Sequence, residues 1–275
     1  GKWLLALDPM TANAKPQVFT VKGKQDVVTF QNVLIGDVWL CSGQSNMEAA
    51  AGDIVNADLD MPQAGIPTIR CLTIPLHSSS TAPDNFPTEE RNPYYVELKG
   101  VWRVSSPETA KDFPAVGYHF ARLVTAITGV PIGLIDNSWG GSVVETWVSR
   151  ASLEQIPEAM PLFKEFDAEA AAYNYEAALA RKMVGWKSQA AKAEAAGQKA
   201  PPKPEVPKTY IYDQGYPGGC FNALIEPIRK FAIKGAIFYQ GENNCVAGQG
   251  RPNLYLKTFP ALIPDWRKAF DDPEL

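Results

Sequence analysis

The stretch Val38-Trp39-Leu40-Cys41-Ser42-Gly43-Gln44-Ser45-Asn46-Met47 constrains the fold more than any other, because an apolar strand runs straight into a small polar turn that holds Ser45. A hydroxyl placed there stands at the end of a sheet strand, where open α/β proteins put their chemistry. Two later segments repeat the arrangement. Val130 to Asn137 (VPIGLIDN) empties into Ser138-Trp139-Gly140-Gly141-Ser142, and Ile233 to Tyr239 (IKGAIFY) empties into Gln240-Gly241-Glu242-Asn243-Asn244. Three apolar strands that each end in small or amide residues predict one shared site built from distant parts of the chain.

From Ile35 onward the pattern is strand, loop, helix. Phe113 to Thr128 carries apolar residues at Val116, Phe120, Leu123, Val124 and Ile127, a helical stripe that stops at Gly129 and Pro131. The run Ile132 to Ile135 is near-continuously apolar, as in a parallel strand covered on both faces. Strands alternating with helices predict a three-layer α/β/α fold on a doubly wound parallel sheet. Residues 1–34 read differently, as short β-like bursts over Trp3 to Leu7, Gln17 to Val21 and Val27 to Phe30, separated by Pro and Gly turns. Three such strands make a poor sheet by themselves, so the segment is expected to be part of a larger β unit. Residues 151–209 form an insertion, rich in Ala, Glu and Lys and closing on Pro201, Pro202, Pro204 and Pro207. One or two exposed helices followed by an extended return are expected there, packing on the rim, shielding the site or meeting a partner.

Composition excludes several classes. With 26 basic against 30 acidic side chains and a net charge of −4, the chain supplies no positive field for nucleic acid, and a neutral or weakly anionic small substrate fits better. No run of 18 apolar residues argues for a membrane span. The opening GKWLLALDPM is broken by Asp8 and Pro9 and does not read as a signal peptide. The four cysteines, Cys41, Cys71, Cys220 and Cys245, have neither CxxC spacing nor histidine-rich surroundings, so free buried thiols are favoured over a bridge or a zinc site.

A serine hydroxyl is a poor nucleophile near neutral pH and needs a base for its proton and donors for the oxyanion that forms. By spacing alone Ser45 reads first as a structural residue such as a helix cap, and Gly140-Gly141 equally as a plain loop. Trp139 and Trp147 read as packing and pocket wall.

The segments GDVWLCSGQSNME, IGLIDNSWGGSVVETWVS and FNALIEPIRKFAIKGAIFYQGENN, in this order, resemble the sialate O-acetylesterase family, a branch of the SGNH hydrolases, from roughly Gly1 to Arg267. The resemblance implies Ser45 as nucleophile, Gly141 as a backbone oxyanion donor, Gln240 as a side-chain oxyanion donor, and Glu242 as either an organiser of its loop or an acid–base group. It implies an SGNH hydrolase domain over residues 35–275, with 1–34 the remnant of an N-terminal β-sandwich. It also implies an acetylated sugar as substrate, no metal or organic cofactor, and a secreted, periplasmic or lysosomal setting. Sialic acid esters are the namesake substrate, with acetylated xylan or pectin, or carbohydrate binding without turnover, as the alternatives.

The base departs from the family pattern, in which an Asp-x-x-His lies near the C-terminus. The chain has two histidines, His77 and His119, and neither follows an aspartate at that spacing; Asp265, Asp271 and Asp272 have no histidine after them. Three explanations stand open: a second chain or a C-terminal segment supplies Asp-x-x-His, the protein binds sugar without turnover, or His77 is recruited.

Overall fold

The computed structural model describes residues 4–86, 100–246 and 250–275. Strands β1 (Asn13–Lys22) and β2 (Val27–Ile35) form an antiparallel two-stranded sheet of their own, with Phe19 opposite Phe30 and their rings 6.1 Å apart. The expected strand over Trp3 to Leu7 does not form across its described part, Leu4 to Leu7. A strand needs a partner for its backbone groups, and this run has none among the described residues. Asn32 breaks the left-handed rule for non-glycine residues with φ of 57° and accepts a hydrogen bond from Arg70 Nη2 at 3.0 Å, which ties the hairpin to the larger sheet.

That sheet has five strands in the order β5-β4-β6-β3-β7, where β3 is Asp37–Gly43, β4 Ile69–Thr73, β5 Arg103–Val104, β6 Ile132–Asp136 and β7 Gly235–Tyr239. The pairs β4–β6, β6–β3 and β3–β7 are parallel, and the short edge strand β5 is antiparallel. The α/β expectation thus holds, with a mixed, mostly parallel sheet. Side chains along a strand alternate in direction, and the core divides accordingly. Leu40, Leu72 and Ile135 join one cluster with Trp147, Phe221 and Trp266, while their neighbours Cys41, Cys71 and Leu134 join a second cluster with Met47, Phe113 and Tyr118. Helices cover both faces, which completes three layers.

The helices among the described residues are α1 (Ser45–Glu48), α2 (Ala57–Asp60), α3 (Pro107–Ala110), α4 (Ala115–Thr128), α5 (Arg150–Leu153), α6 (Met160–Ala172), α7 (Tyr175–Ala195), α8 (Glu242–Cys245) and α9 (Pro252–Ala269). Helix α4 starts after Pro114 and stops at Gly129 in the left-handed conformation, as the stop signal predicts. Its buried face is not the expected stripe. Ala115, Gly117, Tyr118 and Ala121 face the core, whereas Leu123 and Ile127 are 62% and 74% exposed. Small residues let the helix axis approach the sheet closely, so that side outcompetes the bulkier one; of the stripe, Phe120 packs edge-on against Trp39 at 4.8 Å, and Val116 and Val124 lie at the core margin.

The insertion contains two helices, α6 and α7, followed by an extended return, and no residue of α7 is buried. Tyr173 Oη donates to the Pro207 carbonyl at 2.5 Å, closing the base of this excursion. All four cysteines are free thiols; Cys41, Cys71 and Cys220 are buried, and burial pushes the Cys71 and Cys220 thiols up to about 12. Among the described residues no helix is long and apolar enough to cross a membrane.

Candidate active site

The three singled-out blocks sit on adjacent strands. In the register of the sheet Cys41 pairs with Asp136 and Gly43 with Tyr239, so β6, β3 and β7 end together and release their loops at one edge. Gly43 turns the chain there with φ of 133°, and a Cβ at this position would collide with the Tyr239 carbonyl. The turn leads into α1, whose first residue is the exposed Ser45. In a first helical turn the backbone N–H groups lack intrahelical acceptors, and those of Ser45 and Asn46 open α1.

Direct hydrogen bonds lock the blocks together. Gln44 N donates to the Tyr239 carbonyl at 2.9 Å, and Trp139 N and Ser142 Oγ donate to the Gly43 carbonyl at 2.9 and 3.1 Å. Trp147 Nε1 donates to Ser142 Oγ at 3.0 Å, which gives the fully buried Trp147 its polar partner. Gly140 lies against the serine: a Cβ on it would stand 3.7 Å from Ser45 Cβ and 2.5 Å from Glu48 Oε2. The Gly140 N–H is already engaged by Glu48 Oε2 at 2.6 Å. Gly141, with φ of 78°, comes next in the same turn, and a Cβ there would press within 3.0 Å of Gln214 Nε2 and 3.8 Å of Asn243 Nδ2. Gln214 belongs to the return from the insertion, so that segment reaches the site.

Gln240 follows β7 directly. Its Nε2 lies 3.0 Å from Gln44 Oε1, 3.2 Å from the Ser142 carbonyl and 2.8 Å from Asn244 Oδ1, three acceptors for two hydrogens. Gln44, 2% exposed, accepts with the same Oε1 from Gly241 N at 3.1 Å and Asn243 N at 3.3 Å. Glu242 begins α8 and accepts from Asn46 Nδ2, next to Ser45 in the chain. Ser45, Gly141, Gln240 and Glu242, the four residues singled out in the sequence, therefore converge on one edge of the sheet.

Sequence reasoning passed over Gln44, Glu48, Asn244 and the supporting role of Glu145. Their signal was the density of amide and acid residues in GQSNME and GENN, but which pairs meet depends on strand order. Behind the site Asp136, at the end of β6, accepts from Ser138 N and Ser138 Oγ at 3.0 and 2.6 Å. Burial drives the Asp136 carboxyl up to about 7, against the lowering effect of the Ser138 and Thr73 hydrogen bonds and with a further push from Glu48.

His119 lies within α4, its ring edge-on to Tyr118 at 5.5 Å, and His77 lies in the stretch after β4. Asp265, one of the aspartates screened for a following histidine, is engaged in packing: it accepts from Ser149 N, Ser149 Oγ and Ser152 Oγ at 2.6, 2.8 and 2.6 Å, fixing α5 to α9.

The solved structure of a carbohydrate acetylesterase from Xanthomonas citri is similar to this chain, with a mostly parallel α/β fold in common, at a TM-score of 0.65 and 26% identity, covering 97% of this chain and 45% of that one. The chain is also similar to curated proteins named sialate O-acetylesterase. The rat protein (Rattus norvegicus) is 30% identical over 280 residues and the human protein (Homo sapiens) 28% identical over 277, each covering 98% of this chain. The chain spans about half the length of these relatives, 46% and 43% respectively. No protein-family profile matches it.

Proposed function

We propose that the chain forms the catalytic serine face of a carbohydrate esterase that removes O-acetyl groups from a sugar. The observation that carries this reading is the juxtaposition of exposed Ser45 with the Gly140–Gly141 turn and the Gln44–Gln240 carboxamide pair on three neighbouring strand ends. Ser45 Oγ attacks the acetyl carbonyl, and the carbonyl π pair moves onto oxygen. The resulting oxyanion is met by the Ser45 N–H and the Gly141 N–H, since the neighbouring Gly140 N–H is held by Glu48. Gln240 joins by exchanging its longest contact, that to the Ser142 carbonyl at 3.2 Å, for the oxyanion. Collapse expels the sugar alcohol, which takes up the proton that left Ser45, and leaves an acetyl-enzyme for water to cleave. Glu242 organises this edge through Asn46.

The base for the serine proton is an imidazole from outside these 275 residues, in the Asp-x-x-His arrangement that the family resemblance implies. The placement of His119 in α4 and of Asp265 in the α5–α9 contact supports this, because both are committed to packing. O-acetylated sialic acid is the substrate favoured by the names of the curated relatives, with acetylated plant polysaccharide the alternative.

Acetate release from O-acetyl sialic acid and from acetylated xylan oligosaccharides tests the reading, with and without added imidazole and with Ser45→Ala as the control. Imidazole-stimulated release that disappears in Ser45→Ala is expected. Equal release by both forms would remove Ser45 from the chemistry.

A further inference from the structure

We infer that Glu145 is a positioning residue of this site: through Asn244 it helps to hold the polarity of the Gln240 carboxamide, which meets Gln44 beside Ser45. Glu145 is 1% exposed and Asn244 also 1%. Asn244 Nδ2 donates to both carboxylate oxygens of Glu145, at 3.1 and 2.9 Å, and Thr258 Oγ1 stands 3.1 Å from Glu145 Oε1. A carboxylate only accepts, so the amide edge turned toward it must be the NH₂ edge. The other edge of Asn244 is fixed independently, because the Val144 N–H donates to Oδ1 at 2.9 Å. Asn244 Oδ1 in turn requires a donor from Gln240, and Nε2 supplies it at 2.8 Å.

Gln240 obeys this demand at a cost. Its Oε1 is buried and has no hydrogen-bond partner among the described residues. Buried carbonyl oxygens are seldom left so, and an orphan of this kind marks a group held in place by its surroundings. Flipping the carboxamide would set Oε1 against Gln44 Oε1, Asn244 Oδ1 and the Ser142 carbonyl, acceptor against acceptor on every side. Glu145 thus joins the Val144 N–H, the Ser142 carbonyl and Gln44 in setting the polarity of Gln240, across 95 positions of sequence and without touching Gln240 or Ser45.

The inference rests on the esterase reading for its kinetic consequence alone. The test replaces one polarity device by its mirror. Asn244→Asp breaks the match by setting two carboxylates against each other and Glu145→Gln loosens it, since glutamine can offer either edge, whereas the double variant restores it: glutamine at 145 donates to the new aspartate at 244, which still accepts from Val144 N and Gln240 Nε2, with one buried carboxylate as before. With imidazole added, the expected result is a loss of kcat for p-nitrophenyl acetate of roughly 100-fold in Asn244→Asp and a smaller loss in Glu145→Gln, with KM little changed. Recovery to within about threefold of wild type is expected in the double variant. The side-chain amide resonances of Gln44 and Gln240, assigned by substitution, shift in the single variants and return in the double. If a single variant fails to fold, the double decides by itself. Unchanged resonances in folded single variants, or a folded double variant that keeps the shifted ones, overturn the inference. A wild-type protein that stays inactive with imidazole added instead overturns the esterase reading, and the resonances alone then decide whether Glu145 helps to set the polarity of the amides.

Discussion

Two positions around the serine turn were chosen for shape or electrostatics rather than for reaction, and each predicts a measurable consequence. Gly43→Ala forces a Cβ into the Tyr239 carbonyl at a backbone φ of 133°, so the variant is expected to lose roughly 2–3 kcal/mol in urea unfolding together with the strand-end geometry. Asp136 predicts a pH effect. Its carboxyl titrates near about 3.9 in the unfolded chain and about 7 in the folded one, so the folded state holds the extra proton between those values. Stability therefore falls as pH rises from about 4 to about 7, and what the protonated form contributed is lost above that. Asp136→Asn keeps an acceptor for Ser138 and removes the charge; unfolding titrations at about pH 5 and about pH 8 are expected to show a smaller difference than in wild type. Ser45, Gly141, Gln240 and Glu242 were singled out through the family resemblance of the three blocks, since strand-end position by itself reads Ser45 as a cap and the glycines as a loop. The Glu145–Asn244 pair was not, since its partners are 99 residues apart and meet only once the sheet has set β6 and β7 on either side of β3.

Among the elements, the central strands announced themselves and the helix faces did not. Ile132 to Ile135 reads as a buried parallel strand and is one, in the middle of the sheet. The expected stripe on α4 failed because hydrophobic size was weighed above fit: Ala115, Gly117 and Ala121 let the helix settle onto Cys41 and its neighbours, and Leu123 and Ile127 are left outside. Of the helices in the insertion, α7 has no buried residue, whereas α6 places Leu162 and Phe163 in the core. Because Tyr173 Oη and the Pro207 carbonyl already meet, replacing residues 174–206 by a short Gly-Ser link is expected to leave a folded protein whose stability changes by no more than about 1 kcal/mol, read by thermal unfolding. The return segment that follows carries Gln214 to Gly141, so changes there belong to the site rather than to the excursion.

At the level of the whole molecule, stability is unevenly spread. The β1–β2 hairpin shows solvent Val18, Val27, Val28 and Phe30 at 62%, 62%, 50% and 51% exposure, and a two-stranded sheet is marginal without more cover. The five-stranded sheet has a core on each face. Amide hydrogen exchange is expected to release β1 and β2 well before β3 and β6. Such a division leaves the reactive edge on the most rigid part of the protein, where three strand ends hold their turns by hydrogen bonds from one to the next. Treating the folded protein with a fluorophosphonate in the presence of added imidazole and locating the adduct by peptide mass spectrometry measures most directly whether that edge presents a reactive serine. A single phosphonylated residue is expected, Ser45, with labelling lost in Gly43→Ala. Modification at other serines, with Ser45 untouched in folded protein, would contradict the esterase assignment.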